Sequence, residues 1–457
     1  MTLDSADPDL LEPGTWMEFH NDAFTLPPGA TPLARNEVGL QAFALDRHLA
    51  VQFHPEITPE VFAAWSQSWA EHGLDDAVAR AIDLPALRAE IATRATDVAA
   101  ACRRLVAASA SARAFCRGSR RSGRMTGVDT VRWGVVGPGR IADKVVRDLP
   151  LVDGASAAAV ASRSAERAAA FAARHDVART HDSYRAIVDD PDVDVLYIAT
   201  PHPQHRAVAL AALRAGKAVL VEKAFTVTPE ATREIAALAA ETGVFAMEAM
   251  WTRFQPAIVR MRELIAEGAV GQVRAVQADL GVHNPLDPDD RFVAPELGGG
   301  ALFDLTVYPI SFAQMVLGTP TAVHAEGTVT PRGVDLDESV LLAFDGGSTA
   351  TLTASLRCAT PGQARVFGTD GWIDVLPRFH HPDTIVLHRH GRDPQEITLP
   401  AVGGGYYHEL AAVTECLQAG RPESAVMPLA DTVAVQDVMG EVARQLGMNP
   451  LEGPSEL

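Results

Sequence analysis

Residues 131–149 read VRWGVVGPGRIADKVVRDL, and this stretch decides the fold of the domain that contains it. Residues 131–136 form a short apolar run, which predicts a buried strand, and residues 141–149 have the spacing of a helix. Strands and helices then alternate for about 115 residues, which is typical of a parallel sheet covered by helices. We therefore expect an α/β domain at residues 128–248.

The turn between this strand and helix is Gly137-Pro138-Gly139-Arg140-Ile141-Ala142, which has the form GxGxxA. Its glycines permit a tight turn and a close approach of the backbone to a pyrophosphate, and Ala142 lets the helix pack against the strand. The helix N-terminus at Arg140 and Ile141 offers free N–H groups to phosphates. Because strand, turn, helix and strand follow in the right order, the segment predicts a Rossmann fold that binds a dinucleotide.

The end of the next predicted strand bears on which dinucleotide binds. This strand, residues 155–161, is followed by Ser162-Arg163-Ser164, where NAD-binding domains of this architecture usually have an acidic residue. Ser162 and Arg163 can instead hydrogen-bond and neutralise a 2′-phosphate, which favours NADP. The alternative is that Arg163 is a solvated charge at a strand end, and NAD then stays possible.

Further polar residues follow the later strands. A predicted buried strand at residues 194–200 ends in Thr200 and Pro201, with His205 shortly after it. Another predicted strand ends in Glu222-Lys223. Ligands bind outside the carboxyl ends of the strands in open α/β sheets, so these residues are placed where chemistry occurs.

After residue 248 the pattern changes to strand-like runs joined by short turns. It predicts an α+β domain at residues 249–450 with an open, mostly antiparallel sheet. Within this domain, three glycines precede a predicted helix in which Asp304 and Tyr308 are four residues apart and so share a face.

Several of these motifs together resemble the Gfo/Idh/MocA oxidoreductase family. They are the Gly137–Ala142 turn, Ala199-Thr200-Pro201 with His205, Ala215-Gly216-Lys217 leading into Glu222-Lys223, and Gly298–Asp304 with Tyr308. The stretch MEAMWTRF at residues 247–254 is similar to the branch that contains dihydrodiol and D-xylose dehydrogenases. The resemblance covers nearly everything from Val131 to about Leu446. It implies a Rossmann domain followed by an α+β domain whose open sheet often forms a dimer interface.

The resemblance and the chemistry of alcohol oxidation assign roles to three residues. Oxidation of an alcohol needs a hydride acceptor and a base for the hydroxyl proton. Tyr308 is the expected proton acceptor, and Lys223 is expected to orient the substrate hydroxyl and to lower the pKa of Tyr308. Asp304 would bind the substrate or position Lys223. The alternatives are a packed core tyrosine and a solvated lysine at a strand end.

The remaining expectations concern the cofactor. Trp251 and Arg253 are expected to line the nicotinamide or substrate pocket, with packing and surface roles as alternatives. The family usually has Glu-Lys-Pro where this chain has Glu222-Lys223-Ala224, which favours a remodelled turn over a cis peptide bond. The full set of predicted cofactor-binding residues is Gly137, Gly139, Arg140, Ile141, Ala142, Ser162, Arg163, Thr200, Pro201, His205, Glu222, Lys223, Trp251 and Arg253.

Within the predicted N-terminal segment, residues 1–110, residues 14–65 carry a second resemblance, to the C-terminal part of class I glutamine amidotransferases. The matching stretches include FTLP at residues 24–27 and QFHPE at residues 52–56, in which His54 and Glu56 correspond to the base and its orienting acid. That chemistry also needs a cysteine nucleophile, and no cysteine precedes Cys102. We therefore expect a partial, degenerate α/β fragment.

A linker rich in arginine, serine and glycine is expected at residues 111–127. Met125, within that linker, is a candidate translation start. A chain beginning there is then expected to be soluble and fully active.

Composition excludes several classes of function. The formal net charge of −19 argues against a general affinity for nucleic acid or for an anionic membrane. The four cysteines are scattered, and we expect neither a disulfide framework nor a metal site. No signal-peptide pattern is evident and no run reaches the roughly 18 apolar residues of a membrane helix, so we expect a cytoplasmic protein.

The sequence thus predicts an NADP-dependent dehydrogenase that acts on a small molecule, an aldose or a vicinal diol. A homodimer formed through the C-terminal sheet is the expected assembly. One alternative is a nucleotide-binding sensor or scaffold without catalysis, against which the presence of both Lys223 and Tyr308 argues. The other is an amidotransferase fusion, which requires a nucleophile from another chain.

Overall fold

The computed structural model describes residues 2–5, 14–15, 31–35, 40–45, 48–51, 93, 130–287, 290–454 and 456–457. The chain divides into two compact units, Met1–Ser122 and Gly123–Leu457. The described strands of the first unit are β1 (Thr2–Ser5), β2 (Gly14–Thr15), β3 (Thr31–Arg35), β4 (Leu40–Leu45) and β5 (His48–Val51). They form an antiparallel sheet in the order β2-β1-β3-β4-β5. His54, Glu56 and the predicted linker at 111–127 lie outside the described residues.

The second unit begins with a parallel sheet. Its strands are β6 (Val131–Val136), β7 (Ala155–Ala161), β8 (Arg179–His181), β9 (Val195–Ile198), β10 (Ala218–Glu222) and β11 (Ala246–Ala249). Their spatial order is β11-β10-β9-β6-β7-β8, and all neighbouring pairs are parallel. The chain therefore reverses its direction across the sheet between β6 and β9, which is the switch point of a doubly wound dinucleotide-binding fold.

Helices cover both faces of this sheet, so β9 and β10 are buried at every residue. The helices are α1 (Arg140–Asp148), α2 (Ala165–His175), α3 (Tyr184–Val188), α4 (His205–Arg214) and α5 (Pro229–Thr242). Three of them begin where a hydroxyl side chain, from Ser164, Ser183 or Thr228, accepts a hydrogen bond from a backbone N–H of the first turn. The predicted strands at 131–136 and 155–161 and the Rossmann fold are confirmed.

The C-terminal part forms a second sheet, packed against helices on one face. Its strands are β12 (Val273–Gly281), β13 (Ala322–Val329), β14 (Asp335–Ala343), β15 (Thr349–Ser355), β16 (Ala364–Gly368), β17 (Gly371–Val375), β18 (Thr384–Arg389) and β19 (Gln395–Thr398). The helices are α6 (Pro256–Ala266), α7 (Val307–Leu317), α8 (Tyr407–Gln418) and α9 (Leu429–Gln445). The strand order is β13-β14-β15-β12-β16-β17-β18-β19, and only the β12–β15 pair is parallel among the described strands of this sheet. The predicted open, mostly antiparallel sheet is confirmed.

The segment that leads into α7 differs from the sequence prediction. Residues Leu302–Thr306 form a π-helix, so the expected regular α-helix from Asp304 to Tyr308 is wrong. A π-helix accommodates an extra residue per turn, which rotates Asp304 relative to Tyr308. The helical stretch Pro295–Leu317 is also long and apolar enough to cross a membrane, although the sequence analysis expected no such run. It is 83% buried within the protein, as the core helix of a globular domain is.

Candidate active site

A cavity of about 820 Å³ lies outside the carboxyl ends of strands β6, β7, β9 and β10. The Rossmann domain forms most of its wall, and residues from the segment 291–308 complete it. The predicted site residues that line it are Gly137, Gly139, Arg140, Ile141, Ser162, Arg163, Thr200, Pro201, Glu222, Lys223, Asp304 and Tyr308. Their convergence on one cavity follows from the parallel sheet, since consecutive strand ends meet at the same edge.

The glycine turn leaves room for a pyrophosphate. Gly137 has φ +88°, and a Cβ there would lie 2.9 Å from the carbonyl oxygen of Ala199. A Cβ at Gly139 would meet no atom of the described residues within 4 Å, because this glycine faces the open space of the cavity. Gly139 also precedes the first turn of α1, whose N–H groups are free to bind phosphate oxygens. These residues therefore fit a dinucleotide.

The end of the cavity that lies beside the carboxyl end of strand β7 is positively charged. Arg163 and Arg167 are both exposed there, and Ser162 and Ser164 lie beside them. Arg167 was not among the residues predicted from the sequence; it lies in the first turn of α2, whereas Arg163 precedes that helix. The pair can bind an anionic group on the ribose.

Lys223 is held by the backbone of Asp304. Its Nζ donates a hydrogen bond to the carbonyl oxygen of Asp304 at 2.8 Å and lies 4.7 Å from the ring centroid of Tyr308. The carboxylate of Asp304 instead accepts a hydrogen bond from Arg291 at 2.5 Å. Of the two roles expected for Asp304, the geometry therefore favours the positioning of Lys223, through the main chain. Burial lowers the pKa of Lys223.

The expected lowering of the pKa of Tyr308 by Lys223 is wrong in this structure. Burial raises the pKa of Tyr308 well above its usual value, and the carboxylate of Glu222 acts in the same direction. Lys223 is itself desolvated and lies over the phenol ring rather than at the hydroxyl group. The hydroxyl oxygen of Tyr308 accepts a hydrogen bond from Trp251 Nε1 at 3.2 Å, which favours the phenolate only slightly.

Glu222 and the residues around Lys223 make several hydrogen bonds at the end of strand β10. Tyr197 donates a hydrogen bond to Glu222 Oε1 at 2.5 Å, while burial raises the pKa of the Glu222 carboxyl. The peptide bond between Lys223 and Ala224 is cis, so the remodelled turn that the sequence favoured is wrong. The His202 ring lies between two carbonyl oxygens, 2.9 Å from that of Gly298 and 3.2 Å from that of Lys223.

Two predicted cofactor-binding residues support the cavity from behind its wall. His205 is fully buried, with ring nitrogens 2.8 Å from the carbonyl oxygen of Thr200 and 3.1 Å from that of Ala224. Burial lowers the pKa of His205 to about 4. Ala142 is also fully buried, against the parallel sheet.

Trp251 and Arg253 do not line the cavity wall as expected. Trp251 stacks on Tyr406, with ring centroids 4.3 Å apart, and reaches Tyr308 through its indole N–H. Arg253 points into the protein, where it pairs with Asp431 at 2.5 Å and donates hydrogen bonds to Ser311. The physical reason is that a buried guanidinium needs several acceptors, which helices α7 and α9 supply.

Arg291 is a cavity residue that sequence reasoning did not single out. It belongs to the segment 281–296, in which no site residue was predicted from the sequence. Its guanidinium lies 4.4 Å from the ring centroid of Phe292 and pairs with Asp304. A lone arginine in a loop carries no periodic signal, so the fold was needed to locate it.

Comparisons with known proteins agree with this architecture. Residues 131–250 match the oxidoreductase family with an NAD-binding Rossmann fold, and residues 258–374 match the GFO/IDH/MocA C-terminal domain. The chain belongs to the Gfo/Idh/MocA oxidoreductase family. It is an NAD(P)-dependent oxidoreductase of the dehydrogenase type, acting on CH–OH groups.

Relatives of this Gfo/Idh/MocA oxidoreductase act on diols and sugars. The trans-1,2-dihydrobenzene-1,2-diol dehydrogenase of Xenopus tropicalis is 36% identical over 69% of this chain and 98% of its own length. A 3-ketoreductase from Actinomadura kijaniata, solved with NADP and TDP-benzene, is 26% identical with a TM-score of 0.62 over 69% of this chain and 97% of its own. An aldose–aldose oxidoreductase from Caulobacter crescentus is 25% identical, with a TM-score of 0.64 over 70% of this chain and 98% of its own.

Both family matches begin at or after Val131. They do not support the amidotransferase-like fragment that the sequence predicted at residues 1–110. Short local motifs without the nucleophile were weak grounds for that prediction, because such motifs match by chance.

Proposed function

We propose that the protein is an NADP-dependent dehydrogenase that transfers a hydride between an aldose or a vicinal diol and the nicotinamide. The observation that carries this proposal is that Lys223 and Tyr308 line the same cavity as the glycine turn. The dinucleotide and the polar groups needed for a hydroxyl substrate therefore share one site. The names of the relatives, a dihydrodiol dehydrogenase and an aldose–aldose oxidoreductase, support this substrate class.

The chain's own residues handle the substrate oxygen and its proton. When bound, the nicotinamide accepts or supplies the hydride. Lys223, held by the carbonyl oxygen of Asp304, orients the substrate oxygen with its remaining N–H groups. The indole of Trp251 is a donor only, so the proton of Tyr308 points away from it and is free to reach the substrate oxygen.

The raised pKa of Tyr308 bears on the direction of the reaction. A phenol that stays protonated near neutral pH suits donation of a proton to a carbonyl oxygen during reduction. In the direction of oxidation Tyr308 must first lose its proton, which becomes easier as the pH rises. We therefore propose that oxidation by this enzyme is favoured at alkaline pH.

The preference for NADP is part of the proposal. The 2′-phosphate would lie near Ser162 and between Arg163 and Arg167, which are exposed and line the cavity. The neighbouring acid, Glu166, does not line the cavity and accepts a hydrogen bond from the hydroxyl group of Ser164 at 2.7 Å. Two guanidinium groups and the hydroxyl group of Ser162 favour a dianion over the neutral ribose hydroxyls.

We also propose a homodimer formed through the exposed face of the C-terminal sheet. Leu341, 43% exposed, and Thr351 lie side by side on this face, and Gln277 continues the row. The proposal rests on the family resemblance, in which this open sheet often forms a dimer interface. Light scattering with the full chain should give the mass of a dimer, and a monomer would contradict the proposal. A cytoplasmic location remains a proposal, in keeping with the free thiols of Cys358 and Cys416.

The function is tested by turnover of the full-length protein with NADP or NAD. D-xylose, D-glucose, myo-inositol and a trans-dihydrodiol are offered in turn, and the absorbance of the reduced nicotinamide is followed. We expect turnover with at least one of them, faster with NADP than with NAD. Tight binding of NADPH without turnover of any substrate would instead favour a nucleotide-binding sensor.

A further inference from the structure

The π-helical turn Leu302–Thr306 is a local irregularity that contributes Asp304 to the candidate active site. Its central residue, Asp304, supplies the carbonyl oxygen that accepts the hydrogen bond from Lys223. A π-helical turn is less stable than an α-helix and is usually retained where the surrounding structure holds it in place. Two buried carboxyl groups from strand β14 contact this turn, one at each end.

Asp335 holds the first residue of the turn. Its side chain is fully buried, and its Oδ2 accepts a hydrogen bond from the backbone N–H of Leu302 at 2.6 Å. The approach depends on Gly300, which has φ +123° and where an added Cβ would collide with Asp335 Oδ1. The last of the three glycines therefore makes room for this carboxylate.

Glu338 holds the last residue of the turn. It is 2% exposed, and its Oε1 accepts a hydrogen bond from the hydroxyl group of Thr306. Asp335 and Glu338 are three residues apart and would face opposite sides of a regular strand. The β13–β14 pairing shifts register between Thr328 and Val329, opposite Asp337 and Asp335, and this bulge turns both carboxyl groups to the same side.

The two carboxyl groups also affect each other. Each has one buried oxygen, Asp335 Oδ1 and Glu338 Oε2, without a hydrogen-bond partner among the described residues. Burial raises the pKa of both groups, and the charge of Asp335 raises that of Glu338 further. The site therefore disfavours two charged carboxylates, and it places both groups where they contact the turn.

We propose that Asp335 and Glu338 are positioning residues for Lys223, because they clamp the two ends of the turn whose central carbonyl oxygen binds the lysine ammonium. The clamp fixes the position of the Asp304 carbonyl oxygen. It therefore also fixes the position of Lys223 Nζ, which donates a hydrogen bond to that oxygen. This inference rests on the proposed function for its effect on turnover, but the clamp itself can be observed without a substrate.

Two pairs of matched variants of the full-length protein test the clamp. Thr306→Val removes the hydroxyl donor and keeps the branched shape, whereas Thr306→Ser keeps the donor. Glu338→Leu removes the oxygen that accepts from the hydroxyl group of Thr306. Glu338→Gln removes the charge but keeps an amide oxygen that can accept from Thr306.

The clamp predicts opposite behaviour for the two members of each pair. We expect Thr306→Val and Glu338→Leu to lower kcat about tenfold, with the Kd for NADPH changed less than about twofold, since a small misplacement of a reacting group is costly. Amide hydrogen exchange in the peptide spanning residues 300–306 should accelerate in both. Thr306→Ser and Glu338→Gln should keep the wild-type kcat and exchange. A purely structural role would lower thermal stability and leave kcat of the folded protein unchanged.

Two outcomes overturn the proposal. The first is a folded Thr306→Val protein with wild-type kcat and wild-type exchange, even if Glu338→Leu does not fold. The second is a Glu338→Gln variant as impaired as Glu338→Leu. If the wild-type protein turns over no substrate, the proposed function fails separately, and unchanged exchange in Thr306→Val then rejects the clamp.

Discussion

The ammonium group of Lys223 lies over the phenol ring of Tyr308, 4.7 Å from the ring centroid, and not beside the hydroxyl group. A cation over the ring face is attracted by the π-electrons, which places Lys223 without requiring ionisation of Tyr308. The hydroxyl group accepts a hydrogen bond from Trp251, and Tyr308 also lines the cavity. Two separate groups can therefore act on a substrate oxygen, one as a fixed cation and the other as a proton carrier.

Replacement of Lys223 by methionine should abolish most turnover and leave cofactor binding intact. Removal of a preorganised donor at a reacting oxygen costs about 100-fold or more in kcat. Lys217→Met is the matched control, because Lys217 donates to the carbonyl oxygens of Asp190 and Val193 away from the cavity. The measurements are kcat and the Kd for NADPH from fluorescence. A Lys223→Met variant with more than about a tenth of wild-type kcat would contradict the assigned role.

Tyr308→Phe should remove the proton carrier while the ring under Lys223 stays in place. We expect kcat to fall by about 10²- to 10⁴-fold, the usual contribution of a general acid or base. Tyr407→Phe serves as control, since Tyr407 contacts Asp148 through its backbone N–H, which the substitution retains. Equal kcat for Tyr308→Phe and wild type would assign the proton transfer to another group.

The pH dependence of oxidation should reflect two displaced pKa values. The pKa of Tyr308 is raised by burial, so the reactive phenolate increases with pH and kcat/KM should rise from neutral into alkaline pH. The pKa of Lys223 is lowered by burial, so the ammonium is lost at a lower pH than for a free lysine and the profile then turns downward. Reduction needs the protonated phenol, so kcat/KM for reduction should only fall as the pH rises. An oxidation rate that falls steadily above neutral pH would refute this assignment.

Arg163→Ala should change cofactor preference. Loss of a charge-assisted hydrogen bond to the 2′-phosphate is expected to raise KM for NADP by about tenfold or more, with KM for NAD little changed. Arg174→Ala, in the last turn of helix α2 and more than half exposed, is the control. The ratio of kcat/KM for the two cofactors provides the test, and a parallel loss with NADP and NAD would reject a contact with the 2′-phosphate.

Arg253→Met should destabilise the protein instead of changing its chemistry. The substitution leaves Asp431 unpaired and removes the hydrogen bonds to Ser311, so the free energy of unfolding should fall by about 3–5 kcal/mol. Arg233→Met breaks an exposed pair with Asp437 and should cost about 1 kcal/mol or less. Denaturant unfolding measures both. A stable Arg253→Met enzyme with a raised KM for the cofactor would contradict this structural role and would indicate that Arg253 contacts the cofactor.

The sequence alone determined the Rossmann domain and most of the cavity wall. Its apolar runs, the GxGxxA turn and the strand ends at Ser162, Thr200 and Lys223 are local patterns, each readable within about ten residues. A parallel sheet then brings such ends to one edge, so these residues converge by topology. The second sheet was also predicted as open and mostly antiparallel, because strand-like runs and short turns are local patterns too.

Only the tertiary structure decided where the remaining side chains point. Arg253 turned inward because buried acceptors lie on α7 and α9, and Arg291 reached the cavity from a loop without periodicity. The π-helical turn is held by Asp335 and Glu338, more than thirty residues further along the chain. The pKa of Tyr308 likewise depends on burial by both domains. These features arise from contacts between distant segments, and local sequence patterns carry no record of such contacts.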